Sequence, residues 1–235
     1  NVHWGKFQIL WERSLVIMSN HNIQKIGIIL SYLIHPMVIS FVTFLYLIYY
    51  SNILIEDKNL IFILCFTFST ISPIATFYFL KKNNLISDLD ASKKEERLLP
   101  MAFGALFFLL GFVTLRMLNV QLLVQGIMFC GMINVILAWL ITNYWKISIH
   151  AVTLSSSLTI FWIFGYQNVL IIILILFVLI VGRLLAQAHN LNQIMAGIFL
   201  GIISTFACYT ILFLQQWSLH NSSKQICEQR NLVKK

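Results

Sequence analysis

Gly182-Arg183-Leu184-Leu185-Ala186-Gln187-Ala188-His189-Asn190-Leu191-Asn192-Gln193 lies between two apolar runs, residues 166–181 and 194–215. An arginine, a histidine and an amide therefore stand at the mouth of an otherwise apolar helix, where charge is costly and usually functional. The flanking runs approach or reach the ~20 residues that a helix needs to cross a bilayer. This stretch decides the fold class: all-α, a polytopic transmembrane bundle of six to seven spans.

Composition agrees. Of the 235 residues, 59% are hydrophobic and 10% charged, against about 25% charged in soluble domains, and mean hydropathy is +0.84. Such a chain has room for one membrane domain and no separate soluble catalytic domain. Its formal charge of +8 sits in short connections next to apolar runs, which favours lipid headgroups or phosphates over nucleic acid as partners. The four cysteines, at 65, 130, 208 and 227, form no CxxC pattern. They are read as packing or lipid-facing residues, with no zinc site or other metal centre and no disulfide framework.

Working outward, residues 1–22 read as an interfacial or flexible segment, 23–216 as the transmembrane domain, and 217–235 as a basic tail carrying Lys224, Arg230, Lys234 and Lys235. Spans are expected over 26–50, 60–80, 101–118, 121–141, 151–164, 166–181 and 194–215. His35-Pro36 should kink the first. Thr153, Ser155, Ser156 and Ser157 make the fifth polar at its start, with hydroxyls bonding their own helix or facing a wet cavity. Gly197 and Gly201 form a GxxxG spacing in the last, expected to serve close packing within the chain.

Three polar islands interrupt these spans, at 81–100, 142–150 and 182–193. Two spans separate each island from the next, so all three fall on one face. One composite site then gathers Lys93, Lys94, Arg97, Lys146, Ser148, His150, Arg183, His189 and Gln193. Arginine forks and lysine point charges suit phosphate oxygens, and histidine suits proton or phosphoryl transfer. In a helix, Lys93 and Arg97 (i, i+4), or Lys94 and Arg97 (i, i+3), would share a face and could grip one phosphate, although this island taken alone reads rather as a solvated face with Glu95 and Glu96 as neutralising partners. Arg183 and His189 would lie about 9 Å apart along a helix. The Gln193 carbonyl could accept the His189 Nδ1 proton and leave Nε2 as nucleophile. Ser148 and His150 make best sense in the first turn of a helix, where backbone N–H groups also attract anions.

At this point the residues resemble a family. Arg183, five residues, then His189 is similar to the third motif of the type 2 phosphatidic acid phosphatase (lipid phosphate phosphatase) superfamily, Ser-Arg-x5-His-x3-Asp. Ile147-Ser148-Ile149-His150 resembles its second, Pro-Ser-Gly-His, and Lys94, Arg97 and Pro100 a compressed form of its first, Lys-x6-Arg-Pro. Order, separation and span count match over about residues 60–215. The His35-Pro36 kink and the stretch from Ser87-Asp88 to Pro100 further resemble a divergent branch of small bacterial members.

The resemblance implies an integral-membrane hydrolase, independent of metal or other cofactor, that acts on phosphatidate, polyprenyl diphosphate or a similar lipid phosphate. His189 would attack phosphorus and form a phosphohistidine; His150 would protonate the leaving alcohol and then activate water. Lys94, Arg97 and Arg183 would hold the phosphate oxygens, with Ser148 as a further donor, and Lys146 is our own addition as an extra anchor. The resemblance also implies a site on the outer face of a bacterial inner membrane. Three positions depart from the pattern: Ile149 stands for glycine, Gly182 for serine, and Gln193 for the aspartate that would stabilise a histidinium. Losing that carboxylate should slow the chemistry, and an alternative is a catalytically weakened phospholipid-binding or transport protein on the same scaffold. A magnesium-dependent prenyltransferase would use Asp88 and Asp90, but after Glu96 the next acid is Glu228. No second acidic cluster is available to hold the metals.

Overall fold

The computed structural model describes residues 22–51, 55–87 and 94–211. The N-terminal segment, Lys93, Asp88, Asp90 and the basic tail fall outside these residues. The described chain is helical: α1 (22–33), α2 (Pro36–Tyr49), α3 (Lys58–Phe66), α4 (Ser72–Lys82), α5 (Lys94–Met117), α6 (Leu122–Tyr144), α7 (Ile149–Ile163), α8 (Val169–Leu185) and α9 (Leu191–Ile211). The rods Asn22–Tyr49, Lys58–Lys82, α5, α6 and α9 are long and apolar enough to cross a membrane; α7 and α8 are shorter apolar helices. Their outward faces carry exposed Leu, Ile and Phe, such as Leu170, Ile173, Leu174 and Phe177 on α8. This is the surface that lipid, rather than water, tolerates.

Two of the rods are interrupted. Pro36 opens α2, where its missing N–H costs nothing, and His35 before it is extended (φ −67°, ψ 139°) with Nδ1 accepting from Met37 N at 3.4 Å. The second rod widens by a π-type turn at Thr67–Ile71 just before Pro73, and Thr70 Oγ1 donates from that turn to the Met37 carbonyl at 3.4 Å. In α5 the helix starts at Lys94 and runs through Pro100. The second half of the first island is therefore helix continuous with its span rather than a separate loop; Pro100 forfeits a single backbone hydrogen bond there.

Helix contacts bring the ends of α5, α6, α7, α8 and α9 together on one face. Lys94 Nζ donates to the Asn143 carbonyl at 3.1 Å, joining the start of α5 to the end of α6, and Ser148 N donates to the Gln193 carbonyl at 3.3 Å, joining the starts of α7 and α9. Glycines set two of the closest crossings. A Cβ on Gly197 would stand 2.7 Å from the Ser148 carbonyl oxygen, and one on Gly201 would collide with Ser155 Oγ and the Val152 carbonyl. The GxxxG face thus packs α9 against α7 within the chain. Gly27 on α1 and Gly182 on α8 likewise let α1 cross the end of α8, with Leu185, Ala186 and Leu30 in the contact.

One apolar cluster, including Phe44, Leu47, Ile61, Met128 and Tyr209, ties α2, α3, α6 and α9 together; a second, with Ile34, Leu154, Leu179 and Ile198, ties the first span to α7, α8 and α9. Cys65, Cys130 and Cys208 are buried as packing residues. Mid-bundle, Asn134 Nδ2 donates to Ser156 Oγ (2.9 Å) and Thr205 Oγ1 (3.3 Å), Ser156 and Thr205 pair at 2.7 Å, and Ser204 Oγ donates to Asn134 Oδ1. This neutral node joins α6, α7 and α9 by interhelical hydrogen bonds of the kind that hold membrane helices together.

Candidate active site

The connection from α8 to α9 is built to hold a histidine still. Gln187 takes a left-handed conformation (φ +54°), and Ala188 N donates back to the Arg183 carbonyl at 3.3 Å, closing α8. Arg183 therefore ends one helix while His189 lies in the turn beyond it, instead of both riding one continuous helix; the left-handed residue folds the chain back. Three residues later Asn190 and Gln193 cap α9 reciprocally. Asn190 Oδ1 accepts from Gln193 N at 3.0 Å, and Gln193 Oε1 accepts from Asn190 N at 3.3 Å, a capping-box arrangement with amides.

That cap orients the histidine. Gln193 Oε1 also lies 3.0 Å from His189 Nδ1. Because the backbone N–H of Asn190 requires an oxygen at that position, the ring proton must be on Nδ1. His189 Nε2 then carries a lone pair, and it faces Arg97 Nη1 at 3.4 Å. Arg97 comes from the first turns of α5 and is buried, as are Arg183 and His189.

Burial, then the charges of Arg97 and Arg183, hold His189 far below the ordinary histidine range, at about 3; the Gln193 hydrogen bond opposes this and Lys146 adds to it. The imidazole is thus neutral at physiological pH. Its surroundings are electropositive, the condition under which an anion would be attracted and a neutral nitrogen kept nucleophilic.

Ser148 caps α7 in position only. It is fully buried, its hydroxyl makes no cap, and its Oγ has no hydrogen-bond partner among the described residues. A buried hydroxyl left so costs about 1–3 kcal/mol, which an oxyanion would relieve. His150, two residues on, is buried in the first turn of α7 and meets the ring of His35 edge to face, with centroids 5.4 Å apart. Lys146 is half-buried and close enough to act on His189. Lys94 reaches the Asn143 carbonyl at the end of α6, so its resolved hydrogen bond is directed to α6.

A cavity of about 190 Å³ descends from this cluster between α2, α4, α5, α6 and α7. Arg97, His150 and His35 line it together with Phe44, Phe77 and Phe108, while Asn134, Thr153, Ser156 and Ser157 give it a polar stripe. Ser155, by contrast, bonds its own helix through the Ala151 carbonyl at 2.7 Å. The serine run therefore does both things that its sequence allowed.

Sequence reasoning omitted His35 from the site, since a lone histidine beside a kink reads as packing. It also passed over the Asn190–Gln193 cap, whose Asx-x-x-Gln spacing was available. The chain matches no family model, no curated protein and no solved structure.

Proposed function

We propose that this chain is an integral-membrane phosphatase that hydrolyses the phosphate or diphosphate monoester of a lipid through a phosphohistidine. The observation that carries the proposal is His189: proton on Nδ1 held by Gln193, lone pair on Nε2, and that lone pair facing an arginine. An arriving phosphoryl group would take the place of this contact, its phosphorus meeting Nε2 and its oxygens drawing the Arg97 fork off the ring. Arg183, Lys146 and the Ser148 hydroxyl would spread the charge of the transition state, and Lys94 would act at the rim.

Attack forms the phosphorus–nitrogen bond as the phosphorus–oxygen ester bond breaks. The leaving oxygen takes a proton from His150, which enters this step as imidazolium once the arriving phosphate has brought its negative charge, and with the monoanion its proton, into the site. Water then gives its proton to His150 as it attacks phosphorus, releasing inorganic phosphate and restoring His189. The reacting groups at the mouth and the cavity beneath them suit a substrate whose phosphate is polar and whose remainder is apolar, which favours a lipid. The motif resemblance supports the same chemistry, membership of the lipid phosphate phosphatase superfamily, and a site on the outer face of a bacterial inner membrane.

The test is phosphate release from phosphatidate and polyprenyl diphosphate by purified protein in EDTA, beside His189→Ala. Release by the parent, loss of at least ~10³-fold in the variant, and acid-labile radiolabel retained only on the parent would support the reading. Equal release by both would refute it. Absence of release from either, with phosphatidate still bound, would favour the binding or transport protein that the amide at Gln193 suggests.

A further inference from the structure

The cationic mouth does not use His35, yet His35 is inside the site. It reaches the cavity wall from the first span, 115 residues away in sequence from His150, whose ring it meets edge to face at 5.4 Å. Two features put it there. The Gly27 and Gly182 crossing seats α1 against the end of α8, and the break at Pro36 turns the residue before it inward. The Met37 N–H occupies Nδ1 of His35, so the neutral ring carries its proton on Nε2.

The cavity lining also separates the two halves of the reaction. His150, His35 and Arg97 line the cavity, whereas His189, Arg183 and Ser148 do not. A phosphate ester under attack by His189 would therefore direct its leaving group toward the cavity, past His150. The group that must be correctly aimed at that moment is the imidazole of His150, and an edge-to-face ring contact fixes ring orientation as well as adding attraction.

We propose that His35 is a positioning residue for the departure step: its ring holds the His150 imidazole in the orientation from which it protonates the leaving oxygen. This rests on the phosphatase reading above. It assigns to the first span a part in the chemistry that its sequence, a histidine and proline in an apolar run, does not announce.

The ordinary role of His35 as the cap of α2 has to be separated from this one. His35→Asn does so, because asparagine is a strong N-cap and keeps an acceptor for Met37 N–H while removing the ring from His150. The readout is kcat/KM on two substrates, since that ratio covers the steps through departure and not the later attack of water. Phosphatidate leaves as an alcohol that needs a proton; p-nitrophenyl phosphate leaves as a stable phenolate that does not. His35→Asn is expected to lower kcat/KM on phosphatidate by about 10-fold or more, as mis-aiming a general acid should, and to leave p-nitrophenyl phosphate within about threefold. Its thermal midpoint should stay near that of the parent, and His35→Ala should show the same selectivity on top of a lower midpoint.

Equal losses on both substrates, or no loss on either, would overturn the inference while the parent's turnover leaves the phosphatase reading standing. If the parent releases no phosphate from either substrate, both fall together.

Discussion

Two polar regions interrupt the apolar bundle, and they handle their polarity in opposite ways. The Asn134, Ser156, Ser204 and Thr205 node is neutral and closes on itself, each of its side chains hydrogen-bonded to another. The mouth gathers Arg97, Arg183, Lys146, His150 and His189, and leaves the buried Ser148 hydroxyl without a partner among the described residues. Polar groups in a membrane interior are expensive. The node recovers that cost as helix-to-helix adhesion; on the proposed reading the mouth recovers it when an oxyanion binds. The lesson is that polarity alone does not mark a site in a membrane protein; what sets the mouth apart is positive charge gathered around a buried histidine.

If that contrast holds, substitutions should separate activity from stability. The largest effect is expected for Arg97→Ala, about 10³-fold in kcat/KM for a lipid phosphate, with little change in the thermal midpoint; a loss of folding without a catalytic defect in the folded fraction would erase the contrast. Gln193→Asp comes next. A carboxylate beside Nδ1 supports the imidazolium, so kcat should rise by roughly 10-fold. The same change bears on pH. In the parent, the unfolded chain takes up a proton at about 6.5 while folded His189 waits until about 3, so His189 makes thermal stability fall as pH drops through that window. Aspartate raises the folded value and should narrow the window, and an unchanged pH–stability profile would count against the charge balance described here.

Gly201→Ala tests the link between the regions, because the added Cβ collides with Ser155 Oγ and the Val152 carbonyl on the helix that carries both His150 and Ser156. Overpacking of this kind costs about 1–3 kcal/mol, and activity should fall several-fold alongside the thermal midpoint. A change in only one of the two would mean that the regions are mechanically independent. The smallest effect is expected for Thr205→Val, which removes hydrogen bonds to Asn134 and Ser156. It should cost about 1 kcal/mol, or about 2–4 °C in midpoint, with kcat within about twofold of the parent.

Much of the fold was legible because the bilayer imposes a length rule on apolar runs, and the helical class and, among the described residues, the five long apolar rods follow from it, while α7 and α8 fall short of the expected span length. The i, i+4 relation of His189 and Gln193 was also readable, and the two side chains are within hydrogen-bonding distance. What could not be read was tertiary. Nothing local tells that the chain turns at Gln187 between Arg183 and His189, since glutamine is a good helix former that adopts the left-handed conformation here only as part of the reversal. Nor does the sequence around Asn134 reveal partners 22 and 71 residues away. His35 is the sharpest case: the same residues would stand there whether the ring packed against lipid or against His150.

The crossing of α1 over the end of α8 has a consequence in time. Ribosomes deliver a membrane protein from its N-terminus, and early spans enter the bilayer before later ones exist. His35 and Arg97 therefore reach the membrane ahead of Arg183 and His189. On the proposed reading the half-made chain is inert toward the lipids that surround it until α8 and α9 insert, dock against α1 and bring Arg183 and His189 to the site.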